Sequence, residues 1–184
     1  MFPNWFEGQR HYFERNVPHV PLRVLQIGTY TGDATEWLLN NREVEHIFDV
    51  DTWAGSHEEA HTSIDFKSVE EYYDSRFKDN KQVIKCKMTS DEAFTWDVIN
   101  YHTYNFIYID GDHTALQTCL DALNAFRLLE VGGVMAFDDY LWHMDNPSYA
   151  IEDTPVHGVE AALKVFGSRA EVIESGYQLW IRKC

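Results

Sequence analysis

The sequence is short of cysteine, of positive charge and of long apolar runs, and each shortage removes a class of protein. Its three cysteines, Cys86, Cys119 and Cys184, are odd in number and far apart, and no C-x-x-C pair occurs. A secreted disulfide scaffold and a cysteine zinc site are thereby excluded, and reduced thiols in a cytoplasmic compartment are expected. Lys and Arg number 15 against 30 Asp and Glu, a formal charge of -15. That field repels phosphate backbones, so nucleic acid is not an expected partner. No apolar run approaches the roughly 18 residues of a membrane helix. The opening residues, MFPNWFEGQRHYFER, lack the basic lead and apolar stretch of a secretory signal. G-x-G-x-x-G, the Gly-Lys-Ser/Thr phosphate loop, G-x-S-x-G and H-E-x-x-H are all missing, which counts against a serine hydrolase and a zinc protease. The nine histidines form no zinc set; His57 and His61, spaced i, i+4 in a polar loop, read as solvated.

What is present is a globular composition. The 184 residues are 45% apolar, so one domain able to bury about two-thirds of its unfolded surface is expected without any staple. Residues 1–22 read as a lead-in, with Trp5, Phe6, Tyr12 and Phe13 at helical spacing, and 23–184 as a single domain. That aromatic face suits its own domain or a second subunit in a homodimer. Arg23–Ile27 is a short apolar run closed by Gly28, predicted as a buried parallel strand. A glycine-punctuated turn, Gly28–Asp33, leads into a helix carrying Ala34, Trp37 and Leu38. His46–Asp51 is the second strand, and the polar stretch 52–67 a long loop. Ser68-Val69-Glu70-Glu71 has the form of a capping box opening a helix with Val69, Tyr72, Tyr73 and Phe77 inward.

Gln82–Cys86 is the third strand candidate, and Thr89-Ser90-Asp91-Glu92 a second capping box for a helix reaching about Asn100. Asn105–Ile109 is the clearest strand. The best helix spans about 115–129, with Leu116, Cys119, Leu120, Leu123 and Phe126 as its face and Gly132-Gly133 as its stop. Val134–Phe137 is the fifth strand. Thr154-Pro155 opens a helix with Val159, Ala162, Leu163 and Phe166 inward, and Ser175-Gly176 joins two runs as a hairpin. Strands and helices alternate, so an α/β parallel sheet with helices on both faces is predicted, and its ligands belong at the carboxyl ends of the strands.

The strand ends therefore carry the candidate chemistry. Gly28-x-x-x-Gly32-Asp33 is a turn that lets a ligand approach the backbone, or simply a tight turn. Asp51, ending the second strand, has the place of an acid that binds a ribose, or of a loop acid capping a turn. Asp110-Gly111-Asp112-His113 and Asp138-Asp139-Tyr140 end the fourth and fifth strands. If those strands are neighbours, four carboxylates converge, a costly arrangement unless a cation or protons neutralise it.

In this order the motifs resemble those of a known family. Val24–Gly32 (VLQIGTYTG) resembles the first motif of class I S-adenosylmethionine-dependent methyltransferases. Val50–Ser56 (VDTWAGS) is similar to the second motif of a small branch, the "methyltransferase domain 24" type. FIYIDGDHT (106–114), LLEVGGVMAFDDYLW (128–142) and Tyr177–Ile181 resemble its later motifs, so the likeness covers about 23–182. The resemblance implies a Rossmann-like three-layer sandwich with a seven-stranded, mostly parallel sheet whose last strand is antiparallel. It implies a cofactor set of Gln26, Gly28, Thr29, Tyr30, Gly32, Asp51, Thr52, Trp53, Met88, Thr89, Ser90 and Asp110. Gly28 and its turn would hold the methionine part, Asp51 the ribose, and Met88–Ser90 the adenine. The D-G-D and D-D-Y motifs are similar to those of magnesium-dependent sugar O-methyltransferases. On that likeness Asp110, Asp138 and Asp139 would bind Mg2+ or another divalent cation, and Asp112 would be the catalytic base; His113 departs from those enzymes, which carry another residue there, and is a second candidate to take the acceptor proton.

Three functions follow for test. The first is methyl transfer to an oxygen of a small molecule, a sugar or other hydroxyl compound, with a cation as aid. Its acceptor would lie under the 52–67 loop and 141–143, with Trp53, Tyr140 and Trp142 as candidates to pack on a ring. The second is a module that binds the cofactor without catalysis. The third is a metal-dependent hydrolase, which would leave the glycine turn and Asp51 unexplained.

Overall fold

In the computed structural model the described residues are 2–55 and 62–184; His57 and His61, and Ser56 of the second motif, lie outside them. The chain runs α1 (Phe6–Asn16), β1 (Leu22–Ile27), α2 (Asp33–Asn41), β2 (Val44–Asp51), α3 (Phe66–Phe77) and β3 (Val83–Lys87). It continues α4 (Ser90–Ala93), α5 (Asp97–Asn100), β4 (Tyr104–Ile109), α6 (Ala115–Leu128), β5 (Leu129–Phe137), α7 (Pro155–Phe166), β6 (Ala170–Ser175) and β7 (Leu179–Lys183). The seven strands form one sheet in the order β3-β2-β1-β4-β5-β7-β6. β1 to β5 pair in parallel, and β7 is antiparallel to both β5 and β6. The strand order reverses between β1 and β4, which opens a crevice at their carboxyl ends.

Side chains alternate across the central strands because their period is two. Leu25, Ile27, Ile107, Ile109, Met135 and Phe137 face α6 and α7 through Ala122, Ala125, Val159 and Phe166. Leu22, Val24, Phe106, Tyr108, Val134 and Ala136 face α1 and α2. Both faces are covered, giving the three-layer α/β sandwich. Phe13 of α1 is fully buried, its ring edge-on to Trp37, Phe106, Tyr108 and Trp180 at 4.9 to 5.8 Å between centroids. Of the four N-terminal aromatics only Trp5 departs from that face; it is 47% exposed and stacks on Tyr30 at 4.6 Å.

Several local expectations are corrected. α3 begins at Phe66, not Ser68, because the Asp65 side chain accepts the Ser68 N–H as its cap. Its buried face is Val69, Tyr73 and Phe77, with Tyr72 exposed. The Thr89–Glu92 capping box forms with both arms, but the helix breaks at Trp96 into α4 and α5. α6 buries only part of its predicted face: Phe126 is buried and Cys119 and Leu123 are half-buried against the core, but Leu116 is 72% exposed and Leu120 is exposed, while Thr118, Asp121, Ala122 and Ala125 turn inward and let the helix lie close to the sheet. Gly132-Gly133 does not stop that helix. β5 starts at Leu129 and runs through both glycines, which occupy the irregular register between Tyr104/Leu129 and Phe106/Val134. Among the described residues no helix is long and apolar enough to cross a membrane.

Because Phe13 of α1 packs on α2 and on strands β4 and β7, Phe13→Ala should cost about 3–5 kcal/mol of unfolding free energy. Urea unfolding measures it; a loss well below 1 kcal/mol would mean that α1 is not part of the core.

Candidate functional site

At the carboxyl ends of the central strands lies a cleft of about 820 Å3, within the usual range for small-molecule sites. Gly28 shapes its floor. Its φ is +80°, and a Cβ there would stand 1.7 Å from the carbonyl oxygen of Asp110, so β1 and β4 can close together only around a glycine. Gly32 has a different reason to be glycine: a Cβ would meet the Phe77 ring at 2.3 Å. It starts α2 and does not reach the cleft lining.

Asp51 joins the two turns above the sheet. Its Oδ2 accepts the N–H groups of Thr29 and Tyr30, each at 2.8 Å, and its Oδ1 accepts that of Trp53 at 2.7 Å. Tyr30 and Trp53 have φ of 50° and 47°, uncommon for such side chains. Trp53 turns away from the cleft; its indole N–H donates to the Tyr30 carbonyl and its ring lies against Tyr73. Thr29, Tyr30 and Thr52 do line the cleft. The enclosed hydroxyls of Thr29 and Tyr30 have no hydrogen-bond partner among the described residues.

Directly beneath, Asp49 is completely buried. The Tyr73 hydroxyl donates to its Oδ2 at 2.8 Å, and the Thr35 hydroxyl lies 2.9 Å from the same oxygen and 3.2 Å from Gln26 Oε1. Gln26 Nε2 in turn donates to the Gly28 carbonyl, so the network supports the glycine turn. One threonine proton cannot serve all these acceptors, and a protonated Asp49 supplies the second. Burial, with Asp51 nearby, pushes the Asp49 carboxyl up to about 7 from 3.8.

The ends of β4 and β5 bring together the acidic motif. His113 Nε2 lies 3.2 Å from Asp139 Oδ2 and 3.8 Å from Asp110 Oδ1. One ligand atom from each of the three lies within 4.8 Å of the others, an arrangement that fits a divalent cation. Asp138 differs from the expected ligand trio: it is held by the Tyr108 hydroxyl and by Gln178 Nε2, with Trp180 fixing Gln178. Enclosure, then Asp138 beside it, raises the Asp110 carboxyl well above its ordinary value, and Asp138 is raised too. Asp112 is exposed and accepts the Thr114 N–H at 2.7 Å. Trp142 covers His113, with ring centroids 5.1 Å apart, whereas Tyr140 packs on the core.

On the β3 side, Met88, Thr89 and Ser90 line the cleft, and Met88 N–H donates to the Asp51 carbonyl. Sequence reasoning missed Gln117 and Tyr177, which also line it, and Trp5, Phe6 and Gln9, which bring the N-terminal segment to its wall. Gln117 carried a readable signal. Thr114-x-x-Gln117 has the spacing of a helix cap directly after a strand end, and Thr114 Oγ1 does accept the Gln117 N–H.

A glycine turn after β1, an acid at the end of β2 and a cleft where the strand order reverses are shared by nucleotide-binding sheets; the order β3-β2-β1-β4-β5-β7-β6 with β7 antiparallel is that of the class I S-adenosylmethionine-dependent methyltransferase fold. Residues 25–140, well over half of the chain, match a family model described as a methyltransferase domain, and the chain belongs to that family. Solved structures of similar fold include the O-methyltransferase from Bacillus cereus in complex with S-adenosylhomocysteine, at 17% identity and TM-score 0.66 over 99% of this chain and 83% of that one. The N-methyltransferase NodS from Bradyrhizobium japonicum is similar at 14% identity and TM-score 0.64, over 100% and 99%. The MycE methyltransferase of mycinamycin biosynthesis, in complex with Mg, S-adenosylhomocysteine and mycinamycin VI, is similar at 15% identity and TM-score 0.61, this chain spanning 50% of its length. No curated protein matches the chain in sequence.

The raised Asp49 carboxyl has a definite consequence for stability. The folded state holds that proton more tightly than the unfolded chain does, so the stabilisation is complete below pH about 4 and is lost as pH rises through about 7. Unfolding free energy measured without added metal should fall across that interval, and Asp49→Asn should flatten the fall. An unchanged slope in the variant would show that Asp49 is not the group responsible.

Proposed function

We propose that this chain transfers a methyl group from S-adenosylmethionine to a hydroxyl oxygen of a small molecule, with a divalent cation bound beside the acceptor. The observation that carries this reading is a half-buried imidazole set between Asp110 and Asp139 in the same cleft as the glycine turn and Asp51. S-adenosylmethionine supplies, when bound, a methyl group already activated on its sulfonium. Thr29, with its unpartnered hydroxyl, and Gly28, which lines the cleft without a side chain, fit the methionine part; Asp51 still has lone pairs for ribose hydroxyls. Asp110, Asp139 and His113 offer the hard oxygen and nitrogen donors that a cation such as Mg2+ or Mn2+ takes, and a cation there would favour the ionised acceptor.

The residues of the chain then divide the work. Asp139 Oδ2 lies 3.2 Å from His113 Nε2, close enough to pair with the ring once it carries a proton. Two places are open to His113: it binds the cation, or it takes the acceptor proton. Asp112, turned outward to cap the start of α6, is poorly placed for either. Trp142 and Tyr177 close the acceptor end and keep water from the reacting atoms. The fold leaves alignment of acceptor and methyl as the main task, which suits a cleft built on rigid strand ends.

Calorimetric titration of S-adenosylhomocysteine into metal-free protein, repeated with magnesium, tests the reading. Micromolar binding that tightens with magnesium is expected, and no binding in either state would overturn it. In an acceptor screen His113→Ala should lose about 100-fold or more in methyl transfer with cofactor binding retained. Tight cofactor binding with no methylated product from a broad screen would favour a binding module instead.

A further inference from the structure

Gln117 lies in the first turn of α6 and lines the cleft on the β3 side. Its Nε2 donates toward Asp121 Oδ1 at 2.9 Å, Ser90 Oγ at 3.1 Å and Asp91 Oδ1 at 3.2 Å. Reversing the amide would set its carbonyl oxygen against two carboxylates, so the network fixes which end faces the protein. Asp121 is itself buried, 1% exposed, and its Oδ2 has no partner among the described residues. A buried carboxyl kept there holds the amide nitrogen from behind. Gln117 Oε1 accepts from no group among the described residues, so the polar atom left to the cleft is an acceptor.

The neighbours say what that acceptor would meet. Asp51, the candidate ribose ligand, is tied through its carbonyl to Met88, and two residues on Ser90 bonds Gln117. A base attached to a ribose at Asp51 would extend past Met88 toward the fixed amide. We infer that Gln117 is the specificity determinant for the base: its Oε1 accepts a hydrogen bond from the exocyclic amino group of adenine, an inference that rests on the S-adenosylmethionine reading above. A 6-oxo purine would place a second acceptor against Oε1, leaving both without a donor.

The test compares S-adenosylhomocysteine with S-inosylhomocysteine, which differs in carrying oxygen where adenine carries the amino group. Calorimetry on the unaltered protein should give binding of the inosyl compound weaker by about tenfold or more. Gln117→Met should weaken the adenosyl compound and bring the two within about threefold, with the thermal unfolding midpoint checking that the variant is folded. Thr29→Val, at the other end of the cleft, should weaken both alike and keep their ratio. Equal binding of the two compounds by the unaltered protein, a comparison that needs no variant, would overturn the assignment, as would an unchanged ratio in Gln117→Met. Absence of adenosyl binding to the unaltered protein would overturn the methyltransferase reading and this inference together, whereas binding without discrimination overturns this one alone.

Discussion

The carboxylate of Asp51 holds the two turns from which the cofactor side of the cleft is made. It accepts three backbone N–H groups from two separate turns, after β1 and after β2. Two of those donors, Tyr30 and Trp53, have left-handed backbone angles that cost each residue about 1–2 kcal/mol. Hydrogen bonds to a charged acceptor are each worth about 1.5–3 kcal/mol, enough to hold both residues there. The indole of Trp53 adds a bond to the Tyr30 carbonyl and locks one turn to the other. With the turns so fixed, the cleft wall at Gly28 and Thr29 is formed without further ordering, which lowers the cost of binding.

Charge is distributed to suit. Asp49 stands two residues before Asp51 on the same side of β2, close enough to discourage a second negative charge. Neutral Asp49 can donate, and the chain Asp49–Thr35–Gln26–Gly28 then supports the turn that Asp51 pulls on from above. At the ends of β4 and β5 the opposite choice is made. Asp110 and Asp139 face His113, while Asp138 accepts from Tyr108 and Gln178, two neutral donors that favour its charged form. Repulsion there is left standing, and a positive group, if bound in the cleft as proposed above, would relieve it.

Most of the sheet was legible because its strands are buried on both faces and read as short apolar runs closed by glycine or acid. The hairpin at Ser175-Gly176 was legible from turn chemistry. The face of α6 was not. Apolar spacing selected Leu116 and Leu120, but the helix lies so close to the sheet that its buried face is mostly small, Thr118, Ala122 and Ala125, with Asp121 and Phe126 beside them. Gly132-Gly133 carried the signal of a helix stop, and nothing local distinguishes that from an irregular stretch of strand. At the site, strand-end residues were readable because topology alone puts them at the crevice. Gln117, Tyr177 and Trp5 come from a helix, a hairpin and the N-terminal segment, and only three-dimensional packing brings them there.

The two ends of the cleft differ in how their polar groups are satisfied, and that difference carries the division of labour. On the β1–β3 side Asp51 and the Gln117 amide nitrogen are bonded to the protein itself, so each offers a ligand a fixed remainder of its hydrogen-bonding capacity. Such a site selects by shape and donor pattern and changes little on binding. On the β4–β5 side the carboxylates are crowded and under-compensated, so their state depends on what enters. A cofactor is the same molecule in every cycle and suits the first kind of surface. On the reading proposed above an acceptor would be bound, deprotonated and released, and it would suit the second, where a proton or a cation can move without rebuilding the fold.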